Sequence, residues 1–117
     1  MRYLCLVCIE EKKLDALPRA ETDGMIAEHP AFDGTWRQNG HFIIAARLQP
    51  AHTATTVRVR NGKTSTTDGP FAETNEQVGG FSLIEARDLN AAIQVAAKIP
   101  PAREGSVEVR PVRQLNP

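Results

Sequence analysis

The sequence predicts an α+β fold of ferredoxin-like βαββαβ type with an inserted β-hairpin, and three observations predict it. Short apolar runs with two-residue alternation are interleaved with two stretches of helical spacing. Asn61-Gly62 between alternating segments is a strong hairpin signal. Several of the strand-like runs carry apolar residues on both alternating sets, so both sheet faces must be covered.

The elements follow in order. Met1 to Ile9 is rich in Leu, Val and Ile and ends in charge, and it reads as a strand. Leu14 to Leu17 is expected to form a short turn. Pro18 opens a longer helix, where its missing N–H costs nothing. Met25, His29, Phe32 and Trp36 fall on one face of that helix, which Pro30 and Gly34 kink before it ends near Asn39-Gly40. His41 to Leu48 is a second strand, and Pro50 to Thr53 a loop. Thr55 to Arg60 and Lys63 to Thr67 form the hairpin around Asn61-Gly62. Asp68-Gly69-Pro70-Phe71 is a turn, and Ala72 to Gln77 is expected to make a short helical turn stopped by Gly79-Gly80. Phe81 to Ala86 is a strand. Asp88 caps a helix with a stripe of Leu89, Ala92, Ile93 and Ala96, ended by Pro100-Pro101. Val107, Val109 and Val112 mark a closing strand. No linker or low-complexity segment interrupts this order, so residues 1–117 are expected to be a single domain.

Two helices cover one side of such a sheet. Leu4 to Ile9, Phe42 to Ala46 and Phe81 to Ile84 are nevertheless apolar on both alternating sets. A large bare apolar face is a liability, and the simplest cover is a second copy. The expected assembly is a homodimer whose two sheets close into a barrel-like core.

Composition narrows the function classes. The chain has 117 residues, 41% hydrophobic and 24% charged, as ordinary soluble domains do. Lys plus Arg and Asp plus Glu are each 14, so no charge excess is available to grip nucleic acid or an anionic membrane directly. The apolar run from Tyr3 to Ile9 is too short to span a bilayer, and Glu10 to Lys13 follow without the small-residue site of a secretory signal. A cytoplasmic location is expected.

Cys5 and Cys8 form a C-x-x-C, but on a strand residues three apart point to opposite faces with Cα atoms about 10 Å apart. A disulfide needs less than about 7 Å, so the pair reads as two reduced thiols acting as small hydrophobes. There is no G-x-G-x-x-G, P-loop, H-E-x-x-H or G-x-S-x-G. His41 and His52 have no clustered carboxylates, and neither a metal nor a cofactor is expected.

His29 lies on the inward stripe with Phe32 and Trp36. It is either a core-edge histidine bonded to backbone or a general base near neutral pH. Asp68 either caps its own turn or supplies the carboxylate that orients such a base. Trp36, Phe71 and Glu73 complete the candidate ligand-binding residues, Glu73 also being suited to the first turn of a helix. Arg58 and Arg60 read as a solvated strand face.

The run Asp68-Gly69-Pro70-Phe71-Ala72-Glu73-Thr74 resembles the YCII-related family, in its D-G-P-F branch. Met1 to Leu4, Leu48 to Pro50, Thr53 to Arg58, Glu76 to Phe81 and Gly105 to Pro111 also look like family blocks. The resemblance implies a dimeric α/β-barrel of ferredoxin-like protomers. In relatives that use a His-Asp pair, the histidine lies on the first helix, eleven residues before a glycine. His29 stands in that relation to Gly40, whereas the place of the aspartate is taken by Ile99 before Pro100. The D-G-P-F branch also resembles partners of extracytoplasmic-function sigma factors. The resemblance therefore implies a small-molecule-binding accessory protein tied to sigma-factor regulation. The alternative is a cofactor-independent hydrolase or lyase with His29 as base and Asp68 beside it.

Overall fold

The computed structural model describes residues 1–18, 41–99 and 105–114. Strand β1 (Arg2–Ile9) is followed by helix α1 (Glu11–Ala16). Strand β2 (Phe42–Arg47) leads through a 3-10 turn at Ala51–Thr53 into β3 (Thr55–Arg60) and β4 (Lys63–Asp68). Strand β5 (Gln77–Glu85), helix α2 (Leu89–Ala96) and strand β6 (Ser106–Pro111) complete the described elements. Of the long helix expected from Pro18 to Gly40, residues 19–40, with His29 and Trp36, lie outside the described residues.

The architecture is α+β. The main sheet has the order β2-β5-β1-β6, and each neighbouring pair is antiparallel. This order is consistent with a ferredoxin-like fold. Strands β3 and β4 form a separate two-stranded sheet. They join through Asn61 at φ 52° and Gly62 at φ 76°, the doubly left-handed turn that matches strand twist.

Strand alternation sorts the main sheet into two faces. Tyr3, Cys5 and Val7 pair with Ile84, Ser82 and Gly80 and point into the core with Ala86. Helix α2 lies over this face through Ala92, Val95 and Ala96, with Ile99 just beyond it. The Asp88 carboxylate accepts a 2.8 Å bond from the Ala91 N–H, as its capping position predicts. The buried stripe, however, is rotated from the expected one. Leu89 and Ile93 are 51% and 50% exposed, and Val95 and Ile99 take their place. The small Ala92 and Ala96 bring the helix close to the sheet along that line, which no periodicity count distinguishes from its neighbour.

Two further expectations are corrected. Residues 11–16, not 14–17, form the first turn of helix, because Glu11 anchors it from the start (below). Ala72 to Gln77 is not helical. The Gln77 amide nitrogen donates to the carbonyls of Ala72 (2.8 Å) and Thr74 (2.9 Å), satisfying oxygens a helix would have used. Gly79 and Gly80 stop nothing either. Strand β5 already begins at Gln77, because Gln77 and Val78 pair with Ile9 and Cys8 of β1. The register slips there by one residue, at Gly79.

Ser82 is fully buried, and its hydroxyl has no hydrogen-bond partner among the described residues. A buried unsatisfied hydroxyl costs about 1–3 kcal/mol. Ser82→Ala is expected to raise the unfolding free energy by about 1 kcal/mol, read from urea denaturation. A loss of stability would show that the hydroxyl has a partner.

Candidate functional site

A cleft of about 670 Å³ opens beside the Asp68-Gly69-Pro70 turn. One wall is the junction of β1 and α1, with Glu10, Glu11 and Lys12. The other is formed by Asp68 to Pro70 and by Glu73, Thr74, Asn75 and Gln77 of the segment leading to β5. His52, on the 3-10 turn, also lines it.

Specific bonds hold these walls. The Glu11 carboxylate accepts from the Ala51 N–H at 2.7 Å, tying α1 to the turn that carries His52. The Gly69 N–H donates to the Ala54 carbonyl at 2.7 Å, and the Thr56 hydroxyl donates to the Gly69 carbonyl at 2.9 Å. Together they strap the Asp68-Gly69 corner to the start of β3. Gly69 has φ +105°, a conformation that side chains rarely adopt, so glycine at this corner is a backbone requirement. The Gln77 amide and the Thr74 hydroxyl, which donates to the Glu76 carbonyl at 2.5 Å, stiffen the far wall.

Asp68 and Glu73 therefore share one cleft. Phe71 is 81% exposed and is not among its lining residues. His29 and Trp36 lie outside the described residues. Glu10, Glu11, Lys12, Asn75 and Gln77 line the cleft without having been singled out in the sequence, where His52 was weighed only as a metal ligand. Only Gln77, within the Glu76-to-Phe81 block, carried a local signal. The others come together because β1 and β5 are neighbours, a long-range fact.

Among the described residues the cleft is acidic: four lining carboxylates (Glu10, Glu11, Asp68, Glu73) stand against one lysine, Lys12. Such a site favours cationic or hydrogen-bond-donating groups and repels anions. Among the described residues no cluster of three His, Cys, Asp or Glu side chains could hold a metal ion.

A second hollow, of about 500 Å³, adjoins the first through Thr74 and Asn75 and reaches Cys8, Glu76, Ser106 and Glu108. Both cysteines are free, Cys5 in the core and Cys8 half-buried. Cys5 and Cys8 occupy opposite faces of β1, as the strand spacing requires. Burial raises the Cys5 thiol above its ordinary pKa. Burial also raises Cys8, helped by the nearby charges of Glu108 and Glu76. Neither environment favours a thiolate nucleophile.

These features describe an α+β protein with an open acidic cleft at a glycine-proline turn. The family model of the YCII-related domain matches residues 1–116. An uncharacterized protein of Rhizobium meliloti (strain 1021) is 34% identical over 119 residues, which cover all of this chain and 96% of that protein. The chain belongs to the YCII-related family. Among the described residues no helix is long and apolar enough to cross a membrane.

Proposed function

We propose that this chain is a cytoplasmic small-molecule-binding accessory protein, a homodimer without chemistry of its own, that acts in extracytoplasmic-function sigma-factor regulation. The observation that carries the binding reading is the cleft at the Asp68 turn. Asp68 and Glu73 enter it from one wall and Glu10 and Glu11 from the other. Its charge favours a small ligand bearing an amine or another cationic donor. The regulatory link rests on the resemblance to the D-G-P-F branch. The dimer is supported by the second sheet face, where Leu4, Leu6, Phe81, Leu83 and Ala46 are only half-buried and Ile44 is exposed.

The hydrolase or lyase reading draws on one observation. His52 shares the cleft with Asp68 and Glu73, which gives a base other than His29 access to the same carboxylates. It ranks second, because His52 makes no hydrogen bond to a cleft carboxylate among the described residues.

A thermal-shift screen of amine-bearing, anionic and aromatic metabolites tests the first reading. A cationic ligand at about 100 times its Kd is expected to stabilise by about 2.7 kcal/mol and raise Tm by several degrees. The shift should shrink in Asp68→Ala and in Glu73→Gln. A shift unchanged in both variants would place binding elsewhere. Turnover of a hit, abolished in His52→Ala, would favour the enzyme.

A further inference from the structure

The β3–β4 hairpin wears its apolar face outward. Its register pairs Thr55 with Asp68, Val57 with Thr66 and Val59 with Thr64, so these six share one face. Arg58, Arg60 and Lys63 belong to the other. Val57 and Val59 are each 58% exposed, whereas Thr56 and Arg58 behind them are half-buried. The usual arrangement, apolar inward and charged outward, is reversed. The two strands also hydrogen-bond to no strand of the main sheet, and an isolated two-stranded sheet is marginally stable in water.

The arm is also polar along its length. From Thr55 to Thr67 it carries Arg58, Arg60 and Lys63 and no acidic residue. At its root stand Asp68, on the valine face, and Glu73 in the segment that follows. Tip and root thus have opposite charge. Strands of six residues make the arm about 20 Å long.

We propose that the outward valine face is an interface with a second copy of this chain, the two hairpins packing face to face and antiparallel about a two-fold axis. This arrangement covers Val57 and Val59 with their own counterparts. It also lays each basic tip beside the other copy's acidic root, the long Arg60 and Lys63 stems reaching round the end of the hairpin. Parallel packing would bring the two basic tips together and is disfavoured by like charge. A nucleic acid is a poorer occupant, since the face it would meet is apolar and ends in Asp68. The contact is separate from the apolar face of the main sheet, and it does not depend on the cleft binding anything.

The test is disulfide trapping under a mild oxidant, in a Cys8→Ser background, with folding checked by circular dichroism. Val57→Cys sits near the axis and is expected to give a covalent dimer at least about ten times faster than Arg58→Cys on the opposite face. Adding Arg60→Glu and Lys63→Glu to Val57→Cys should slow trapping by about tenfold. So should adding Asp68→Lys and Glu73→Lys. A mixture of the two charge-reversed proteins should recover the rate, because both tip-root contacts are then again between opposite charges. If Val57→Cys fails to fold, Val59→Cys serves in the same comparison. Equal rates at positions 57 and 58, or no recovery in the mixture, would overturn the proposal.

Discussion

Ile84→Ala is expected to lower the unfolding free energy by about 3 kcal/mol and Tm by roughly 12 °C. Ile84 is fully buried. It pairs across the sheet with Tyr3 of β1 and Phe42 of β2, in the cluster that includes Ala92, Val95, Ala96 and Ile99. Truncation removes three carbons and leaves a cavity at the junction of three strands and a helix. Neither Ala92 nor Ala96 has a side chain long enough to fill it. Urea denaturation measures the loss directly, and a change below about 1 kcal/mol would mean that the core collapses around the gap. The cleft lies at the other end of β5, so a ligand found by the thermal-shift screen should still bind the folded variant.

Gly80→Ala should cost about 2 kcal/mol, by a different route. A methyl group built at Gly80 would stand 2.9 Å from the backbone carbonyl oxygen of Ala46 on the adjoining strand. Gly80 is paired with Arg47 there and with Val7 on the other side, so β5 is pinned between β2 and β1. Neither neighbour moves without lengthening ladder bonds. Gly79→Ala makes the useful contrast. Its methyl would meet Ile9 Cδ1 at 2.6 Å, a closer approach but to the end of a side chain that has other rotamers. The loss is therefore expected to be larger at Gly80 than at Gly79, although the gap is wider there. The reverse order, measured by denaturation of the two variants, would show that the ladder yields more readily than the Ile9 packing. Because β5 starts at the wall of the cleft, Gly80→Ala should also weaken ligand binding more than Ile84→Ala does.

Much of the strand framework was legible in the residues. Alternation and β-branched composition placed β1, β2, β3, β4 and β6 to within one or two residues of their ends. Asn61-Gly62 placed the turn between β3 and β4, because only residues tolerant of positive φ fit it. The cysteine spacing was sufficient to put Cys5 and Cys8 on opposite faces. What failed were assignments that depend on partners distant in sequence. The segment from Ala72 to Gln77 has no helix because a single amide, that of Gln77, captures two of its carbonyls. Strand β5 begins four residues before the apolar run at Phe81, because β1 supplies hydrogen bonds to Gln77 and Val78.

The candidate site divides in the same way. Asp68 and Glu73 stood out because they flank a glycine-proline turn of distinctive local chemistry. Nothing local linked them to Glu10, Glu11 or His52. That grouping needs β1 beside β5, and a bond from Ala51 to Glu11 across forty residues. By itself, then, the sequence determined the α+β class, the strands with their two faces, the hairpin turn and the reduced state of the thiols. Each follows from local periodicity or from the conformational range of one or two residues. The tertiary structure alone decided which helix stripe is buried, which charged groups gather at the cleft, and that the hairpin shows its valines to solvent. Those features depend on packing between segments far apart in the chain, where many local patterns are compatible with one sequence and the lowest free energy of the whole selects among them.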